Sequence, residues 1–108
     1  MSDGDDVAIA AITMAELRVG IELASGRART ARRAFVDDVM AVIQVLAYDT
    51  FVAEAHAVLL GEVRRQGRPR AAHDLLIAAT AAATGRTVVT ADARAFEDLP
   101  GVAVLRHR

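Results

Sequence analysis

No cysteine occurs in the 108 residues, which excludes thiolate catalysis, disulfides and cysteine-type zinc sites. Tryptophan is absent too, there is a single tyrosine, and aromatics make up only 4% of the chain. So few rings cannot build a base-stacking platform, and the core must come mostly from Ala, Val, Leu and Ile. All 13 basic residues are arginine, with no lysine anywhere. Arginine offers phosphate a planar fork, where lysine offers a point charge. The missing lysine also counts heavily against a metal-dependent signalling receiver, which needs one near its last strand. No apolar run is long enough for a signal peptide or a membrane span. The chain is expected to be unexported, cytoplasmic and without membrane contact.

What is present describes one ordinary domain spanning residues 1–108. At this length about two-thirds of the unfolded surface is buried, enough for a core without metal staples. An apolar content of 54% excludes disorder, and 25% charged residues exclude an integral membrane protein. The net charge of −1 argues against a protein that coats nucleic acid by bulk charge. It leaves room for a local basic patch beside an acidic metal site.

The apolar run Val7 to Ile12, ending at Thr13, reads as a strand buried on both faces of a parallel sheet. A helix follows from Met14 to about Ser25, with Leu17, Ile21 and Ala24 inward and Gly26 as its stop. A second helix runs from Thr30 to about Ile43, with Phe35, Val39, Val42, Ile43 and Leu46 on one stripe. Val45 to Tyr48 is a short strand. Asp49-Thr50 caps a third helix to about Gln66, with Val52, Ala55, Leu59 and Val63 inward. Gly67-Arg68-Pro69-Arg70 is the clearest loop. His73 to Thr84 is an Ala-rich helix closed by Gly85. Strands at Thr87 to Thr90 and Val102 to Leu105 flank a turn or short helix. Strands alternating with helices predict an α/β fold with a mostly parallel sheet between helical layers.

Three acids stand out, each with a structural alternative. Glu16 follows Thr13 by three residues and fits a capping box. Asp74 opens an apolar helix, where a carboxylate suits the free N–H groups and the dipole. Asp92 follows Thr90 beyond a strand, where an Asx-turn would suffice. Yet Glu16 and Asp92 both lie past the carboxyl end of a strand, the edge where open α/β sheets bind ligands. Asp74 faces the same edge if the loop before it returns there. Three converging carboxylates would repel one another, and a hard divalent cation, Mg²⁺ or Mn²⁺, resolves the conflict. Such a site activates water and stabilises a phosphoryl transition state.

The remaining acids fit simpler roles. Asp37, Asp38, Glu54 and Glu62 fall on solvated helix faces, and Asp3, Asp5 and Asp6 on a frayed terminus. Asp98 belongs to a turn, and Glu22 makes a helical ion pair with Arg18. Arg64, Arg65, Arg68 and Arg70 surround the Gly-Pro loop just upstream of Asp74. They read either as solvated surface or as a rim that grips RNA phosphates. His73 and His56 read as capping or surface residues, and His107 lies in a tail.

Three stretches together resemble one family. Thr13-Met14-Ala15-Glu16-Leu17, followed by Gly20, resembles the second acidic motif of PIN-domain ribonucleases. His73-Asp74-Leu75-Leu76-Ile77-Ala78-Ala79-Thr80-Ala81 resembles their third motif very closely. Thr87-Val88-Val89-Thr90-Ala91-Asp92, with Phe96 and then Leu99-Pro100-Gly101-Val102, resembles the fourth motif and closing strand. The nearest group is the VapC-like toxins of type II toxin–antitoxin modules. The resemblance implies a PIN-like three-layer sandwich and a Mg²⁺- or Mn²⁺-dependent endoribonuclease. Glu16, Asp74 and Asp92 would be the metal ligands, and Thr90 would orient water or the metal shell. It further implies an RNA substrate, a cognate antitoxin and a homodimer.

The family's first strand, which ends in Asp followed by Ser or Thr, has no counterpart here. The fold is therefore expected without that strand and its aspartate, a place that Asp3, Asp5 and Asp6 do not fill. The alternative to an active nuclease is a truncated module that only binds antitoxin or dimerises through its apolar helices.

Overall fold

The computed structural model describes residues 7–106. Asp3, Asp5, Asp6 and His107 lie outside the described residues. The chain divides into two compact units, Met1–Leu46 and Ala47–Arg108.

In the first unit, β1 (Ala8–Ala10) leads into α1 (Ala11–Leu23), followed by α2 (Gly26–Val42) and β2 (Gln44–Leu46). Strands β1 and β2 pair in parallel, with Ile9 opposite Val45. Helix α1 packs on α2, and the Arg32 guanidinium donates to the Gly20 carbonyl at 3.2 Å. Ala10, Ile21 and Val36 are buried.

Several local expectations are corrected here. The strand ends at Ala10, so Ile12 and Thr13 are already helical and the capping box from Thr13 to Glu16 does not form. The cap position is Ala10, whose side chain makes no hydrogen bond. Helix propensity and capping are weak local forces that packing overrides. Gly26 does not stop α1 but opens α2, in the left-handed region at φ 57°. Thr30, expected to start that helix, lies inside it and turns its hydroxyl back to the Gly26 carbonyl at 3.3 Å. Finally, the inward residue of α2 is Val36. Phe35 and Val42 are 60% and 78% exposed, so the expected stripe is rotated by about one position. Glu22 pairs with Arg29 at 3.6 Å rather than with Arg18.

The second unit carries α3 (Thr50–Gln66), α4 (Ala72–Thr84), β3 (Thr87–Thr90), a 3₁₀ turn (Ala93–Phe96) and β4 (Ala103–Arg106). Here local signals hold closely. The Asp49 carboxylate accepts the Val52 amide at 2.9 Å and starts α3. Gly67 and Gly85 end α3 and α4 in the left-handed region, at φ 67° and 66°. Helix α3 presents Val52, Leu59 and Val63 to Leu75, Ala78, Ala79 and Ala81 of α4, and Val88, Phe96 and Leu99 complete this core.

Strands β3 and β4 pair in parallel, with Val89 opposite Leu105. Both ladders among the described residues are thus parallel, the first pair joined through α1 and α2 and the second through the 3₁₀ turn, in keeping with the expected α/β class. The expectation of strands buried on both faces does not extend to this pair. Val88 is buried, whereas Val89 and Leu105 are 62% and 60% exposed on the other face.

Candidate active site

Asp74 is the third residue of α4, and its carboxylate lies in the favourable field of the helix N-terminus. The cap residue, Ala71, brings no side-chain hydrogen bond to that end. From Asp74 the helix runs about 15 Å to Thr84 at its usual rise. Only Gly85 and Arg86 separate it from β3, so the chain reverses and climbs a similar distance, about 16 Å, from Thr87 to Asp92. The return brings Asp92 to the end of the unit at which Asp74 stands. Hydrogen bonds across that end, from Arg70 to the carbonyls of Ala95 and Glu97, fix the closeness of the two segments.

Beyond β3, the Asp92 amide donates to Thr90 Oγ1 at 3.0 Å. This turn is built from the Thr90 hydroxyl and not from the Asp92 carboxylate. Asp92 then precedes the 3₁₀ turn without capping it by its side chain. Among the described residues, neither the Asp74 nor the Asp92 carboxylate is engaged by a side-chain hydrogen bond or ion pair. The Asx-turn expected of Asp92 is thus not formed by its carboxylate, whereas Asp74 keeps the favourable first-turn position that the helix dipole reading gives it.

Glu16 lies in the first unit, well inside α1 and exposed. Among the described residues, no three His, Asp or Glu side chains are grouped closely enough to hold a metal ion. As donors, the oxygens of Asp74 and Asp92 suit a hard cation, but the structure does not assemble a three-carboxylate set.

The four loop arginines have distinct fates. Arg65 donates to Glu62 Oε1 at 2.7 Å, and this bond holds the Glu62 carboxyl below the usual carboxylate range. Arg68 donates to Asp98 Oδ2 at 3.1 Å. Arg70 Nη1 and Nη2 donate to the carbonyls of Ala95 at 3.0 Å and Glu97 at 2.6 Å. Arg64 is exposed and makes no ion pair or side-chain hydrogen bond among the described residues. His56, read as a surface residue, is the hydrogen-bond partner of the Tyr48 hydroxyl through Nδ1 at 3.0 Å.

Sequence reasoning missed the role of Arg70 and the backbone of Asp98. Asp98 adopts φ 60°, the left-handed conformation that aspartate tolerates better than most residues. A polar residue shortly before a Pro-Gly turn was the available sign for Asp98. No sequence pattern marks a guanidinium that binds carbonyls 25 residues away.

The PIN domain pattern matches residues 1–102. This chain belongs to the PIN-domain family. Among PIN relatives, it is 34% identical over 96 residues to the tRNA(fMet)-specific endonuclease VapC of Salmonella typhimurium, covering 89% of this chain and 71% of that protein. Ribonuclease VapC4 of Mycobacterium tuberculosis is 32% identical over 102 residues, or 94% of this chain and 78% of the relative. Among solved structures, VapBC-5 from M. tuberculosis, a member of the VapBC family of toxin–antitoxin systems, matches with a TM-score of 0.83 at 33% identity. That match covers 94% of this chain and 82% of the other. The PIN assignment accounts for the parallel α/β pattern. Among the described residues, no helix of this PIN protein is long and apolar enough to cross a membrane.

Proposed function

We propose that this PIN protein is a Mg²⁺- or Mn²⁺-dependent endoribonuclease, the toxin of a toxin–antitoxin module, that hydrolyses RNA phosphodiester bonds with activated water. Asp74 and Asp92 are its proposed central ligands, and Glu16 is a candidate third on the resemblance of its motif alone. The cognate antitoxin is its protein partner, and it works as a cytoplasmic homodimer. The observation that supports this reading is the pair of Arg70 hydrogen bonds that joins the loop before Asp74 to the turn after Asp92, with neither carboxylate in an ion pair among the described residues. Two carboxylates brought close in this way would favour a cation.

Each residue has a separable task. The α4 N-terminus favours the ionised form of Asp74. Thr90 aims the chain at Asp92 through its bond to the Asp92 amide. Arg64, exposed and uncommitted, is the loop arginine best suited to meet an RNA phosphate. A divalent cation bound there supplies activated water and neutralises charge on the phosphoryl oxygens. The test is cleavage of single-stranded RNA with Mg²⁺ or Mn²⁺ by wild type and Asp74→Asn. Loss of cleavage in the variant supports the reading, and equal cleavage by both overturns it.

A second reading is favoured by the apolar side chains that α1 and α2 leave exposed, Leu23 at 83%, Val42 at 78% and Phe35 at 60%. On this reading the protein is a non-catalytic module that binds an antitoxin or dimerises. It predicts complex formation without metal-dependent turnover.

A further inference from the structure

Arg70 ties the segment leading to Asp74 directly to the backbone of the 3₁₀ turn that leaves Asp92. It lies four residues before Asp74. Its two guanidinium nitrogens bond the carbonyls of Ala95 at 3.0 Å and Glu97 at 2.6 Å, three and five residues beyond Asp92. Both acceptors lie in the 3₁₀ turn or at its end, where no strand ladder or α-helix satisfies them. Such backbone groups need a partner when they are not open to water. A guanidinium is always charged and presents donors in a fixed fork, so a single side chain can hold two carbonyls in one geometry. Arg70 is itself partly buried.

Two neighbours reinforce the same joint. Arg68 Nη1 donates to Asp98 Oδ2 at 3.1 Å, and Gln66 Nε2 donates to the Asp98 carbonyl, also at 3.1 Å. On the inner side of the segment, Phe96 and Leu99 are 4% and 5% exposed within the core. The turn after Asp92 is therefore fastened twice, by apolar side chains below and by the Gln66–Arg70 loop at its rim.

We propose that Arg70 is a positioning residue. By clasping the Ala95–Glu97 backbone to the loop before α4, it sets the spacing between the Asp74 and Asp92 carboxylates, and it does not itself contact RNA. The inference rests on the ribonuclease reading above for its catalytic consequence, but the clasp is a property of the protein alone. It separates Arg70 from Arg64, although both belong to the same basic cluster. Lysine cannot replace it fully, because an ammonium lacks the planar fork that meets both carbonyls at once.

The test compares wild type, Arg70→Gln and Arg70→Lys, with Asp74→Asn as the control for the site. Phe96 and Leu99 remain in the core of each variant, so the protein is expected to stay folded, and thermal denaturation checks this. The first readout needs neither metal nor RNA: hydrogen exchange of the amides from Asp92 to Phe96. Arg70→Gln should exchange there roughly tenfold faster, with α3 and α4 unchanged. The second readout is steady-state RNA cleavage. Loss of a residue that orients first-contact groups lowers activity about 10- to 100-fold. For Arg70→Gln that loss should fall on kcat, with KM and its salt dependence unchanged, and Arg70→Lys should recover part of it.

Unchanged exchange in Arg70→Gln overturns the clasp. A raised KM with a shallower salt dependence and unchanged kcat also overturns it, because that is the signature of a lost phosphate contact. Retained cleavage in Asp74→Asn overturns the ribonuclease reading instead, and hydrogen exchange alone then decides the clasp.

Discussion

The Thr90 hydroxyl accepts the backbone amide of Asp92 at 3.0 Å, so the residue that ends β3 also shapes the turn that presents the acid. A hydroxyl used this way constrains the Asp92 backbone while leaving its carboxylate available. Thr90→Val keeps the shape of the side chain and removes the acceptor. It should lower RNA cleavage about tenfold, in line with the loss of an orienting partner, whereas Thr90→Ser should retain most activity. Equal cleavage by Thr90→Val and wild type in a steady-state assay would show that the turn does not aim the acid.

Asp49 offers a test on stability alone. Its carboxylate accepts the Val52 amide at 2.9 Å at the start of α3, and Val52 is 2% exposed in the core. Removing such a cap costs about 1 kcal/mol. Urea denaturation of Asp49→Ala should show a loss of that size at an unchanged m-value, and Asp49→Ser should recover most of it.

Asp98 combines a cost and a gain. Its φ of 60° is unfavourable for a residue with a Cβ by roughly 1 kcal/mol. Its exposed pair with Arg68 returns between about 0 and 1 kcal/mol. Asp98→Gly relieves the first and loses the second, so its stability should stay within about 1 kcal/mol of wild type. Asp98→Ala keeps the strain and loses the pair, and should be the less stable of the two by thermal denaturation.

Glu62 carries the pH dependence that can be assigned. Its pKa is lowered first by the hydrogen bond from Arg65 and then by the charge of that guanidinium and the Gln66 amide, against a raising effect of burial. A carboxyl whose folded pKa is depressed contributes stability above its unfolded pKa and loses it as pH falls through the folded value. The effect at this solvent-facing pair is small. NMR titration should place Glu62 below the usual carboxylate range in wild type and return it toward that range in Arg65→Gln. No difference between the two proteins would contradict the assignment.

The parts of the fold that were legible in the sequence are those set by short-range chemistry. Asp49 before an amphipathic run, and Gly67 and Gly85 after helices, each act through backbone geometry within a few residues. Thr13 and Glu16 show the limit. Their spacing satisfies a capping box, yet the helix begins at Ala11 because β1 ends early and packing carries the helix through Ile12 and Thr13. Thr30 failed in the same way, its hydroxyl bonding back to Gly26 within a helix that started earlier.

In the candidate site, the strand-end and helix-start pattern singles out Asp92 and Asp74, whose role as ligands is the proposal above. The division of labour among the arginines was not. Arg64 and Arg70 are alike in the sequence, and only the fold shows that one faces solvent while the other holds two carbonyls. Acceptors on the backbone leave no trace in residue identity.

The central proposal is that Asp74 and Asp92 are ligands of a divalent cation that serves RNA hydrolysis, with Glu16 put to the test as a third from its motif alone. Mn²⁺ titration of the wild type, followed by calorimetry or water-proton relaxation, tests it most directly when repeated on Asp74→Asn, Asp92→Asn and Glu16→Gln. The account predicts binding by wild type and affinity lowered about tenfold or more in each variant, since each loses an anionic oxygen ligand. Unchanged Mn²⁺ affinity in all three variants would contradict it.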